Sequence, residues 1–252
     1  MSKMLDLKKY INVYTFEFEL PGSGEVIKYK PITIGQMKSL MSYNTDKKYV
    51  IENALDSLIS SSVESENFDI KELYLNDRLA ILVELRKATK GSKYQFQYKC
   101  PSCKSQIMSE IDLNRLKIDK INKDRNPLIT FDNTKISVEL DYVKRKDQIE
   151  VTDFVYKKRK TNTDEEKDID SAILTLASSI KKIILPDGNI IDEPTIEEKE
   201  MIINSLDEKE YQKFLDWFEK NKFGFDFRYK IKCNRCNDFD EEIVVPIEDF
   251  FL

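Results

Sequence analysis

The chain has 252 residues, of which 40% are hydrophobic and 35% charged, with 41 basic against 46 acidic side chains and a net charge of −5. That balance describes one large or two small globular domains with a heavily ionised surface, and it argues against a dedicated nucleic-acid binder, which needs a surplus of Lys and Arg on at least one face. There is no histidine, which removes Ser-His-Asp and Cys-His catalysis and every zinc site with an imidazole ligand.

In chain order, Met1 to Tyr10 alternates Leu with Lys and Asp and lacks the apolar segment of a signal peptide. No later stretch approaches the roughly 18 to 20 apolar residues of a membrane span. A protein made and kept in a cytoplasm is the expectation. Val13 to Leu20 alternates Tyr14, Phe16, Phe18 and Leu20 with polar or smaller residues, which predicts a half-buried strand. Pro21-Gly22-Ser23-Gly24 turns the chain, and Glu25 to Lys30 returns as a second strand, ended by Pro31. The G-x-G in that turn lacks the rest of a phosphate loop and joins two strands, so it reads as a turn. Thr33-Ile34-Gly35-Gln36 has the form of a capping box that starts a helix at Ile34. Between Lys47 and Ser60 the residues Val50, Ile51, Ala54, Leu55, Leu58 and Ile59 form one helical stripe. Another helix is predicted from Leu75 to Thr89, with Gly91 at its C-cap. Tyr94, Phe96 and Tyr98 then alternate into Cys100, and Ile107, Ser109, Ile111 and Leu113 alternate away from Cys103.

After a turn at Asp132-Asn133, Ile136, Val138, Leu140 and Tyr142 predict a strand. Lys157 to Lys167 is a charged stretch in which Lys157-Lys158-Arg159-Lys160 meets Asp164-Glu165-Glu166, the pattern of a solvated loop rather than a phosphate grip. Ile169, Ala172, Ile173, Leu176, Ala177 and Ile180 make a helical stripe, and Pro186-Asp187-Gly188-Asn189 is a hairpin turn between two apolar runs. Thr195 to Glu198 is a further capping box, and Tyr211, Phe214, Leu215 and Phe218 mark a helix from Glu208 to Asn221. Phe223, Phe225, Phe227, Tyr229 and Ile231 alternate into Cys233, and Ile243 to Ile247 leads away from Cys236 as a strand. The expected class is therefore α+β. Residues 1–118 and 119–252 each read as hairpin, helices, then strand–Cys-x-x-C–strand, either as two similar halves from a duplication or as ordinary segments of one intertwined domain.

All four cysteines fall in Cys-x-x-C pairs, Cys100/Cys103 and Cys233/Cys236. Two residues between cysteines let a tight turn aim both thiolates to one side, so each knuckle fills half of a tetrahedral zinc sphere. The pairs stand far beyond the roughly 15 to 20 residues of a compact ribbon, so a shared four-cysteine zinc site requires the fold to bring two distant hairpins together. A thioredoxin-type dithiol would start a helix, whereas strand patterns follow both pairs. Iron in the same four thiolates is the chemical alternative. Glycine is common just after the second cysteine of a knuckle; here Lys104 and Asn237 stand there. The aromatic stripes before each knuckle read as core. Phe250-Phe251-Leu252 is either tucked into that core or docked on a partner, and these three residues are the candidate partner interface.

Glu25 to Lys38, Asp77-Arg78-Leu79 through Leu85-Arg86-Lys87-Ala88-Thr89-Lys90-Gly91 to Cys100-Pro101-Ser102-Cys103, and Cys233-Asn234-Arg235-Cys236 with the terminal Phe250-Phe251 together resemble the baseplate hub subunit and hub assembly proteins of T-even-like contractile-tailed phages. The resemblance spans nearly the whole chain. It implies a non-enzymatic structural or assembly protein of the tail baseplate, made in the host cytoplasm and present in the virion tail or its precursors. Its implied partners are other hub, tail or tape-measure proteins. Two other classes stand beside it: a nucleic-acid-binding zinc ribbon, which predicts a basic face around the knuckles, and an enzyme with a carboxylate centre, which predicts clustered acids in a pocket.

Overall fold

The computed structural model describes residues 14–42, 48–158, 162–236, 240–245 and 250–251. Among them are seven α-helices and small antiparallel sheets, an α+β architecture. Strands β1 (Phe16–Glu19) and β2 (Val26–Tyr29) pair around the Pro-Gly turn with Phe18 opposite Ile27. Helix α1 (Ile34–Met41) begins with the expected capping box: Gln36 N–H donates to the Thr33 hydroxyl, and Thr33 N–H donates to Gln36 Oε1 at 2.8 Å. Helices α2 (Lys48–Ser62) and α3 (Leu75–Lys90) follow, and α3 ends at Gly91, whose φ of 85° lies in the region open to glycine.

The first cysteine hairpin is β3 (Lys93–Lys99) with β4 (Gln106–Asp112). A short strand β5 (Ile118–Asp119) leads to β6 (Leu128–Thr130) and β7 (Ser137–Leu140). Helices α4 (Arg145–Lys158) and α5 (Asp164–Ala177) separate these from β8 (Ile180–Ile184) and β9 (Ile190–Asp192), and β6-β7-β8-β9 form one antiparallel sheet. Helices α6 (Ile196–Ser205) and α7 (Glu208–Lys220) complete the middle of the chain. Then β10 (Gly224–Phe225) returns to pair with β5, and β11 (Arg228–Lys232) pairs with β12 (Asp240–Val244) as the second cysteine hairpin.

Several expectations are corrected. The charged run is not one solvated loop. Lys157 and Lys158 form the last turn of α4, and Asp164, Glu165 and Glu166 form the first turn of α5, where each sign suits the helix dipole; residues 159–161 lie outside the described residues. Helix α4 and strand β6 had no counterpart in the sequence reading. Ile180 opens β8 rather than closing a helix, and Ile51, Ile169 and Ile173 face outward. The alternation from Phe223 to Ile231 is broken, because Phe225 closes β10 and β11 begins at Arg228. The last strand lies at Asp240–Val244 rather than Ile243 to Ile247. Val13 and residues 246–249 lie outside the described residues.

Two large apolar clusters form the interior, and they are not consecutive stretches of chain. The first gathers Leu20, Ile27, Ile59, Ile81, Leu85, Tyr94, Phe96 and Leu113 with Phe227, Ile231, Ile243 and Val245 from the far end. The second gathers Phe131, Val138, Leu140, Tyr142, Ile183, Phe214, Trp217 and Phe223. The chain therefore builds one core from its two ends and another from its middle.

Candidate metal centre

Each knuckle sits at the tip of a two-stranded hairpin whose inner face is apolar. In the first, the ladder runs out at Lys99 opposite Gln106. Beyond it Cys100 N–H donates to Ser105 O and Lys104 N–H donates to Cys100 O, both at 2.9 Å. Lys104 adopts φ 61°, the left-handed conformation that glycine would take at this place. In the second, the ladder ends at Lys232 opposite Asp240; Asn237 is outside the described residues. The hairpins touch through Phe96 and Tyr229, edge to face at 6.0 Å, and through the Tyr229 hydroxyl, which donates to Glu110 O at 3.3 Å.

That contact brings all four sulfurs within 4.8 Å of one another. Cys100 Sγ lies 3.9 Å from Cys236 Sγ, and Cys103 Sγ lies 3.7 Å from Cys233 Sγ. A tetrahedron with metal–sulfur bonds near 2.3 Å has edges of about 3.8 Å. The four thiols are free, and two of their separations match that edge, so the group could hold a metal ion. Among the described residues no other group of His, Cys, Asp or Glu side chains lies close enough to share an ion.

The electrostatics favour the thiolate, which is the ligating form. The Cys233 thiol is brought down to about 6, first by the backbone N–H groups of Cys236 and Arg235. The Cys103 thiol is lowered by the hydroxyl and N–H of Ser105. Cys100 and Cys233 are buried, Cys236 is half-buried and Cys103 is exposed. Four thiolates around a dication leave a net charge of −2, and Lys99, Lys104, Lys230, Lys232 and Arg235 stand beside them in the sequence. That flank is mixed in sign rather than a basic face, since Lys230 pairs with Asp240 at 3.3 Å. A soft, four-donor set of tetrahedral dimensions could hold a metal ion such as zinc or iron.

Phe250 and Phe251 are buried at 3% and 4% exposure inside the first core, with Phe250 edge-on to Tyr94 at 4.7 Å. These two rings thus have no exposed face to offer a partner, because they close the cluster beneath the cysteine hairpins. Leu252 lies outside the described residues.

Four polar residues of α3, Asp77, Arg78, Glu84 and Arg86, are buried, and of these only Arg86 shares a face with the apolar stripe expected from the sequence. The Asp77 carboxylate accepts from Gly22 N–H at 2.6 Å and Ser23 N–H at 2.9 Å, holding the first turn. Arg78 and Arg145 both donate through Nε to Asp56, each at 2.6 Å. Glu84 accepts from Tyr29 and Lys87, and Arg86 donates to Gly91 O and Lys93 O. Charged residues interrupting an apolar helix on every face were the available signal.

A family model described as T4 bacteriophage base plate protein matches residues 12–252. No curated protein and no solved structure matches the chain significantly.

Proposed function

The chain belongs to the T4 bacteriophage base plate protein family, and on that premise we propose that it is a non-enzymatic structural or assembly protein of the baseplate hub. In this reading it is made in the host cytoplasm, binds other hub, tail or tape-measure proteins, and carries one structural zinc ion on Cys100, Cys103, Cys233 and Cys236. The observation that carries the reading is the family match over nearly the whole chain. Two features support it. A chain without histidine lacks the commonest general base, and the four sulfurs lie together between two hairpins distant in sequence, as a structural ion would need. The metal's chemistry here is folding energy, since thiolate-bound zinc contributes on the order of 10 kcal/mol in small peptides. Phe250 and Phe251 pack into the first core. No helix among the described residues is long and apolar enough to cross a membrane.

Proteomic mass spectrometry of purified phage particles and of tail sub-assemblies tests the proposal. The chain should co-purify with tail proteins in at least one of them. Its absence from every particle and sub-assembly would overturn the hub assignment.

A further inference from the structure

The four sulfurs of the cluster are not equivalent. Cys100 and Cys233 are sealed in the first core at 0% and 1% exposure, whereas Cys103 faces solvent. An incoming proton or competing chelator meets the Cys103 corner first. The hydroxyl of Ser105 stands at that corner, 3.0 Å from Cys103 Sγ and 3.7 Å from Cys233 Sγ. Its place is fixed by the backbone: Lys104 at φ 61° folds the chain back, and Ser105 O accepts the Cys100 N–H at 2.9 Å. Residue 105 therefore faces the cluster whether or not its hydroxyl is used.

We infer that Ser105 is a positioning residue of the metal centre, whose hydroxyl donates a hydrogen bond to the Cys103 thiolate and holds this solvent-facing ligand on the ion. The inference rests on the four-thiolate reading above. A hydroxyl donor helps to orient the sulfur toward the metal and draws charge from the two lone pairs not used for it. Those lone pairs are then less available to a proton or an electrophile. At the matching place in the second knuckle the sequence has Asp238, and an ionised carboxylate accepts but cannot donate. The device thus belongs to the first knuckle, the one with the exposed sulfur.

The test uses the full chain as wild type, Ser105→Ala and Ser105→Thr, each loaded with zinc and challenged with a chromophoric chelator. The alanine variant should hold zinc on the order of 10-fold more weakly and release it faster. The threonine variant, which keeps the hydroxyl, should stay near wild type. The metal-free forms of wild type and Ser105→Ala should melt together, because the hydroxyl acts through the ligand and not through packing. Equal zinc affinity in Ser105→Ala would overturn the inference and leave the four-thiolate site intact. So would an equal loss in the alanine and threonine variants, or a metal-free Ser105→Ala that is as destabilised as its zinc form. A wild-type chain that takes up no zinc would overturn the four-thiolate reading and this inference with it.

Discussion

Asp77 shows how two opposed effects meet on one side chain. Burial raises its carboxyl above the ordinary 3.8, while the N–H groups of Gly22 and Ser23 pull it down, and burial is the larger. The folded value then stands above the unfolded one. The stability contributed by this group is fully present below 3.8 and declines as pH rises through the folded value. Denaturant unfolding of wild type and Asp77→Asn across the acidic range checks the sign: the wild-type advantage should shrink as pH rises. An advantage that grows with pH would mean that the two N–H donors outweigh burial. The turn they hold has little slack, since a Cβ on Gly22 would meet Phe223 at 2.6 Å and Tyr74 at 2.8 Å. Lys104 departs from what its residue type suggests at this scale: lysine takes the left-handed conformation poorly, which pointed to a less regular first knuckle, yet it stands at φ 61°, where glycine would. The role of Asp77 was not legible, because its partners are backbone groups more than fifty positions away.

At the scale of elements, α3 is the axis around which the first core is assembled. Its buried charges are each matched to a different neighbour, and the Asp56 carboxylate joins three helices by binding Arg78 of α3 and Arg145 of α4 from its place on α2. Arg145 also donates to Gln148 Oε1 at 2.8 Å and Asn53 Oδ1 at 3.1 Å. Asp56→Ala would leave the buried Arg145 without a carboxylate and Arg78 with Glu52 alone, 2.8 Å away, so it should cost about 3–5 kcal/mol in denaturant unfolding. A loss below about 1 kcal/mol would show that the arginines find water instead, as exposed pairs do. Strand β3 was readable from its apolar alternation, and α1 and α6 from their capping boxes. Helix α4 was not, because its apolar set is short: Val151, Phe154 and Val155 keep helical spacing and pack with Leu174 and Ile196, while the buried Arg145 anchors its start. Ile169 and Ile173 misled in the other direction: they keep helical spacing yet face outward, while Leu174 and Ala177 hold α5 in place.

Among the described residues, the first core joins residues 20–116 with residues 225–251, and the stretch between them folds largely on its own cluster. The sequence made the cysteine set readable, since all four cysteines lie in knuckles and nothing else competes for them. It also marked Phe250 and Phe251 as buried or docked without deciding between the two, because tertiary packing alone fixes which. That the first core would take strands from the far end was not readable from local pattern, since no local signal records pairing at such separation. Structural zinc binding of about 10–16 kcal/mol in peptides compares with a net domain stability of about 5–15 kcal/mol. A shared ion would therefore decide whether the ends stay together. Native mass spectrometry of the purified chain, with Cys233→Ser beside it, tests this most directly. The account predicts one zinc ion on each single wild-type chain and none held by Cys233→Ser; a metal-free wild-type chain, or metal found only where it bridges two chains, would contradict it.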